Sequence, residues 1–284
     1  MSYKHIVALA VGEPFDRQAL AFAAWLALEH EARVTVVPAY PDAAASVAAF
    51  GVSAGGAYPQ EVFEALSEAM KTTQAQIEQV CREVCEETGL TFGPGDGAPR
   101  LVLADYDRPP TFALSRHLAL ADLVVVAQGL LAGSDRHLIG QVLFAERAPL
   151  LIARGDPETL SGLAAIAWDG SAHAGRAVRQ ALPLIGSSKD LLILQAAEGQ
   201  RLDMDANPET LNAYLRAHDL GGGRRILVEG SPEGDALIGA AKASDAGLLI
   251  AGAFGRSQFA EYIFGGATRS FLKAKDGPSL LLMH

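Results

Sequence analysis

The sequence predicts an α/β protein made of two tandem doubly wound domains, each a parallel sheet with helices on both faces. Three observations lead there. Short, unbroken apolar runs alternate with amphipathic stretches, as the strands of a sheet covered on both faces alternate with their crossover helices. The same order of elements occurs twice within 284 residues, a length that accommodates two ordinary domains. The halves also match directly: Val7-Ala-Leu-Ala-Val-Gly12 lies over Ala165-Ile-Ala-Trp-Asp-Gly170, and Val124-Val-Val-Ala-Gln128 over Leu248-Leu-Ile-Ala-Gly252. The closing strands match too, Ala148-Pro-Leu-Leu-Ile152 against Gly277-Pro-Ser-Leu-Leu281. Self-similarity over that span signals duplication.

A strand from Ile6 to Val11 opens the first half. The loop Gly12-Glu-Pro-Phe15 leads to a helix from about Asp16 to Glu31, with Asp16 as its N-cap. A strand from Arg33 to Ala39 follows. An Ala/Gly-rich connector, residues 42–57, then leads into a long helix from Pro59 to Thr88, where proline suits the first turn. Beyond the loop Gly93–Gly97 come a strand from Arg100 to Ala104, a helix from Thr111 to Leu120 and a strand from Asp122 to Ala127. A helix near Gly140 and a strand from Pro149 to Ala153 close a first domain expected over residues 1–155.

The polar stretch Arg154–Ser161, which contains Pro157, reads as the linker, and residues 160–284 as the second domain. Its strand Leu163–Trp168 exits through Asp169-Gly-Ser171. Helices from Ala174 to Ile185, Pro208 to His218 and Gly234 to Ala243 alternate with strands from Asp190 to Gln195, Ile226 to Glu229 and Gly247 to Ala251. A final strand covers Pro278–Met283.

Composition narrows the function. Apolar residues make up 50% and charged residues 20%, so sizeable cores are expected and extended disorder is not. The net charge of −10 argues against duplex nucleic acid or an anionic membrane surface as partner, since either calls for a basic face. The opening Met1–Ala10 is too short an apolar stretch for a secretory leader, and no run approaches the ~18 apolar residues of a membrane span. Cys81 and Cys85 share one face of the long helix. They read as small buried thiols rather than a redox or metal pair, which fits a reducing cytoplasm.

The chemistry concentrates behind the last apolar run but one. Gly252-Ala-Phe-Gly255 leaves the strand at Ala251, and nine residues later comes Gly265-Gly266-Ala267-Thr268. Glycines at a strand exit permit a sharp turn and close backbone approach to a ligand. The second glycine pair can open a helix whose free N–H groups and positive dipole end attract an anion. Arg256 and Ser257 stand inside the loop, within reach of phosphates. Sheets of this kind bind ligands beyond the carboxyl ends of their strands, where strand order reverses. Asp169 also lies at such an end. The sequence holds no Gly-x4-Gly-Lys-Ser/Thr loop. No general base stands near the glycines, which argues against fast phosphoryl transfer. A divalent metal can still accompany the phosphates with few protein ligands.

Other motifs carry less. Gly51-Val-Ser53-Ala-Gly55 has the spacing of a hydrolase elbow but lacks the strand before it and the helix directly after it. The glycines of 93–97 and 221–223 precede strands, the wrong side for dinucleotide binding. Ser134-Asp-Arg-His137 follows no spacing rule, and His117 and His173 read as lone surface or capping residues.

On the duplicated pattern and the spacing Gly252, Gly255, Gly265, the chain resembles the universal stress protein family in its tandem two-domain form. The resemblance implies a five-stranded parallel sheet per domain and, in members with the full signature, ATP binding; Mg²⁺ or Mn²⁺ is an optional companion of the phosphates. Carried over by position, Asp169 meets the adenosine and Ala196 lines the adenine pocket. Gly252 and Gly255 approach the ribose and phosphates, while Gly265, Gly266 and Ala267 supply phosphate-binding amides. Gly266 departs from the family in lacking a hydroxyl, for which Thr268 is a partial substitute. The first half departs further, with Val11, Gln128 and Leu131 in the places of Asp169, Gly252 and Gly255, and no comparable site is expected there.

The expected function is a cytoplasmic stress-response sensor that binds an adenine nucleotide in its second domain and signals to an unknown protein partner. The halves form an intrachain pseudo-dimer, with a further homodimer left open. A scaffold that binds no nucleotide is the alternative. Slow ATP hydrolysis is the weakest of the three readings.

Overall fold

The computed structural model describes residues 2–39, 60–104, 110–132, 137–197, 206–253 and 266–284. The elbow-like Gly51–Gly55 pattern and residues 134–136 lie outside them, as do Gly255, Arg256, Ser257 and Gly265 of the expected cradle. The chain divides into two compact units, Lys4–Leu138 and Met1–Tyr3 with Ile139–His284.

In the first unit the strands are β1 (His5–Ala10), β2 (Arg33–Pro38), β3 (Thr91–Phe92), β4 (Arg100–Leu103) and β5 (Leu123–Ala127). They form a parallel sheet in the order β3-β4-β2-β1-β5. The helices are α1 (Asp16–His30), α2 (Gln60–Thr88) and α3 (Pro110–Leu118). Alanines 19, 23, 24 and 27 of α1 are fully buried, and their small side chains let the helix lie close to the sheet. Cys81 and Cys85 are buried on α2, where burial pushes their thiols up to about 12 and about 11, so both stay protonated at neutral pH.

The second unit begins with α4 (His137–Gly140), whose first residues belong to the first unit, and continues through one turn of wider helix, Gln141–Ala145. Its strands are β6 (Leu150–Ala153), β7 (Leu163–Ala167), β8 (Asp190–Ala196), β9 (Arg224–Val228), β10 (Ala246–Gly252) and β11 (Ser279–Met283). Its remaining helices are α5 (Ala172–Ser187), α6 (Pro208–Ala217), α7 (Glu233–Ala243) and α8 (Gly266–Lys273). The order β11-β10-β7-β8-β9 is parallel throughout. The repeat is visible in both units, since β2 and β5 flank β1 as β8 and β10 flank β7.

The strand β6 runs antiparallel to β11 and groups with the second unit. The reason is physical: all of Leu150–Ala153 is fully buried, and a wholly apolar strand needs a paired edge, which Leu280–Leu282 provide. Asp16 does not cap α1. The N-cap is Phe15, with no side-chain cap bond, and Asp16 is the first helical residue. Its Oδ2 accepts backbone N–H bonds from Val11 (2.9 Å), Gly12 (2.7 Å) and Glu13 (3.2 Å). Gly12, at φ +86°, turns the chain so that these amides converge on one carboxylate. Burial outweighs the three donors and pushes the Asp16 pKa up to about 6.

Candidate functional site

The carboxyl ends of β7, β8 and β10 lie side by side, with Ala167, Leu194 and Ala251 in one register. Beyond β7 the chain passes Trp168 and Asp169, and turns at Gly170, whose φ is +76°. The Asp169 Oδ1 accepts from Ser171 N at 2.9 Å, and the Ser171 hydroxyl accepts from Ala174 N at 3.1 Å as the N-cap of α5. Short polar side chains bonding to amides two and three residues on hold the turn that launches the helix.

A cavity of about 590 Å³, counted with its open mouth, sits at these strand ends. Ala167, Leu194, Ala196 and Ala251 give it an apolar base, and Leu237 of α7 and Phe271 of α8 an apolar side. The first turns of three helices open on it: His173 and Ala174 from α5, Glu233 from α7 and Ala267 from α8. Free N–H groups at such ends suit an anion or a polar edge. Among the described lining residues the ionisable groups are Asp169, His173 and Glu233.

Two glycines set the spacing of these walls. A Cβ on Gly252 would fall 2.6 Å from Ala174 N and 2.7 Å from the His173 carbonyl carbon, so β10 meets α5 backbone to backbone. A Cβ on Gly234 would fall 2.5 Å from the Ala267 Cα and 2.6 Å from its carbonyl oxygen, so α7 and α8 touch at their starts.

Of the residues singled out from sequence, the structure brings Asp169, Ala196, Gly252 and Ala267 together on this one cavity. Gly266 opens α8 in an exposed position, and among the described residues nothing lies within 4 Å of where its Cβ would stand. Thr268 is 3% exposed and is not among the residues lining this cavity. His173, Glu233, Leu237 and Phe271 are additional lining residues. His173, read as a lone surface or capping residue, stacks its ring 4.8 Å from that of His284, whose Nδ1 lies 3.3 Å from the Ala253 carbonyl. Burial, and then the neighbouring His284 and Arg176, push the His173 pKa down. Glu233 was findable, since it follows the turn Ser231-Pro232 behind a strand of the same half.

At the matching end of the first unit, described side chains press on two glycines. A Cβ on Gly129 would collide with the Phe15 ring, and one on Gly12 with Thr73 of α2. The Asp16 carboxylate occupies the amides of residues 11–13.

No family model matches the sequence, and no curated protein matches it. Solved structures do. A universal stress protein from Archaeoglobus fulgidus superposes with a TM-score of 0.66 over 100% of this chain and 99% of its own, at 13% identity. The cytoplasmic domain of a prokaryotic cation chloride cotransporter matches with a TM-score of 0.53 at 12% identity, over 99% of this chain and 95% of its own. A functionally unknown protein from Pseudomonas aeruginosa matches with a TM-score of 0.50 at 13% identity, over 99% of this chain and 92% of its own. The fold is therefore that of the universal stress proteins, with its strand pattern present twice. Among the described residues no helix is long and apolar enough to cross a membrane.

Proposed function

We propose that the second unit binds an adenine nucleotide, ATP, and that occupancy alters the surface offered to a protein partner in a cytoplasmic stress response. One observation carries the reading: Asp169, Ala196, Gly252 and Ala267, distant in sequence, line a single cavity at the carboxyl ends of a parallel sheet. The apolar base between Ala196 and Phe271 suits a flat heteroaromatic ring, and the start of α8 suits phosphate. Asp169 and Glu233 add negative charge to the wall, so the phosphates bring a divalent cation, Mg²⁺ or Mn²⁺, to offset it. The function is binding rather than turnover. The test is titration of the ligand-stripped chain with ATP, with and without Mg²⁺. Saturation at one site per chain, strengthened by the cation, supports the reading, and an absence of binding ends it.

Gly252 favours a second reading. Its missing side chain is already required by the contact with α5, which a scaffold without nucleotide would need equally. A scaffold predicts no thermal shift with ATP.

A further inference from the structure

Arg154 follows β6 and turns its guanidinium into the interior of the second unit, where the residue is 4% exposed. Its Nη2 donates to the carbonyls of Phe271 (2.8 Å) and Ala274 (3.0 Å), and its Nη1 to that of Pro278 (3.2 Å). The backbone is held as well: Arg154 N donates to Ser279 Oγ at 3.1 Å, and that hydroxyl donates back to Arg154 O at 3.1 Å. Phe271 lies in the last turn of α8 and Ala274 directly follows it. Carbonyls there lack intrahelical donors, and a cation beside them also meets the negative end of the helix dipole.

The other end of α8 faces the cavity. Ala267 lines it and presses on Gly234, which blocks a shift of α8 toward α7. Phe271 joins the two ends, with its side chain in the cavity wall and its carbonyl on Arg154. An eight-residue helix is about 12 Å long and too short to be stable alone, so tertiary contacts decide where it sits.

We propose that Arg154 is a positioning residue for the cavity: from the C-terminal end of α8 it fixes the placement of Ala267 and Phe271 in the ligand wall. The segment between the two repeats thereby sets the geometry of the second repeat's site. A lysine at this position keeps the charge but not the planar fork that reaches separate carbonyls.

The test uses the full-length R154K and R154Q variants and reads two quantities. The first, amide hydrogen exchange without ligand, is independent of the nucleotide reading. Exchange at residues 266–276 is expected to accelerate at least tenfold in both variants while β7 and β10 keep wild-type protection. The second, the Kd for Mg·ATP, rests on that reading and is expected to rise about tenfold. A merely structural role would instead lower protection across β7, β10 and α8 together and leave the affinity of the folded fraction unchanged. Either that pattern or unaltered exchange at 266–276 overturns the proposal. If the wild-type chain binds no ATP, the nucleotide reading fails and the exchange result alone decides. Should neither variant fold, Ser279→Ala, which removes only the hydroxyl holding the Arg154 backbone, is expected to give the same local pattern at smaller amplitude, and unchanged exchange there counts against the proposal.

Discussion

Gly234 and Ala267 bring two helix starts into contact at the mouth of the cavity, with the absent Cβ of Gly234 only 2.5 Å from the Ala267 Cα. A side chain at 234 would meet backbone, which cannot rotate away. Gly→Ala inside a helix gains up to about 1 kcal/mol in propensity, but forced overpacking costs about 1–3 kcal/mol. The steric term wins. Gly234→Ala is expected to destabilise the chain by about 1–2 kcal/mol in urea denaturation and to weaken nucleotide binding, because α8 moves off the wall. An unchanged midpoint would contradict the contact.

Gly266 presents the opposite case, with nothing among the described residues within 4 Å of where a side chain would begin. Gly266→Ser is expected to leave stability within about 0.5 kcal/mol, as exposed substitutions usually do. A hydroxyl at the start of α8 adds a hydrogen bond to a charged oxygen, worth about 1.5–3 kcal/mol. The expected outcome is an ATP affinity at least tenfold tighter by isothermal titration. No change would show that phosphate does not sit at this helix start.

Asp16 and His173 pull the pH dependence in opposite directions. The folded-state pKa of Asp16 is raised from 3.8 to about 6. The folded chain thus binds the extra proton first, and its stability rises as pH falls from 7 toward 4. The full shift amounts to about 3 kcal/mol, and Asp16→Asn removes this gain. The pKa of His173 is lowered from 6.5, so the unfolded chain takes that proton first and stability falls as pH drops below 6.5. His173→Gln is expected to resist acid better than wild type. Denaturation midpoints of both variants between pH 4 and 8 check the two signs.

Much of this architecture is legible in the sequence, because a strand buried on both faces shows as an unbroken apolar run. Leu123–Ala127 and Leu248–Ala251 announce themselves that way. Apolarity carries no direction, however, so nothing in Leu150–Ala153 reveals that it runs against β11. Asp16 before a helix reads as a cap. That its carboxylate instead gathers the amides of residues 11–13 depends on how Gly12 turns the chain. In the site, the glycine spacing picks out Gly252 and Ala267, but not which ligand-facing wall lies opposite. Glu233, Leu237 and Phe271 join the cavity only because the α7–α8 contact brings them there.

Asp169 separates fold from function. Its carboxylate accepts from the Ser171 amide two residues on and the residue is exposed, so Asp169→Ala is expected to cost at most about 1 kcal/mol of stability. Thermal melts should stay near wild type while ATP affinity drops by tenfold or more. Retained affinity would remove Asp169 from the site.

The central claim is one nucleotide site per chain, in the second unit, where Asp169 lines the cavity, and none in the first, where the Asp16 carboxylate takes the Gly12 amide. Equilibrium titration of the denatured, refolded and ligand-free chain with ATP and Mg²⁺ tests it most directly. Saturation at one nucleotide per chain, lost in Asp169→Ala and kept in Asp16→Asn, is the predicted result. Two sites per chain, or none, would contradict it.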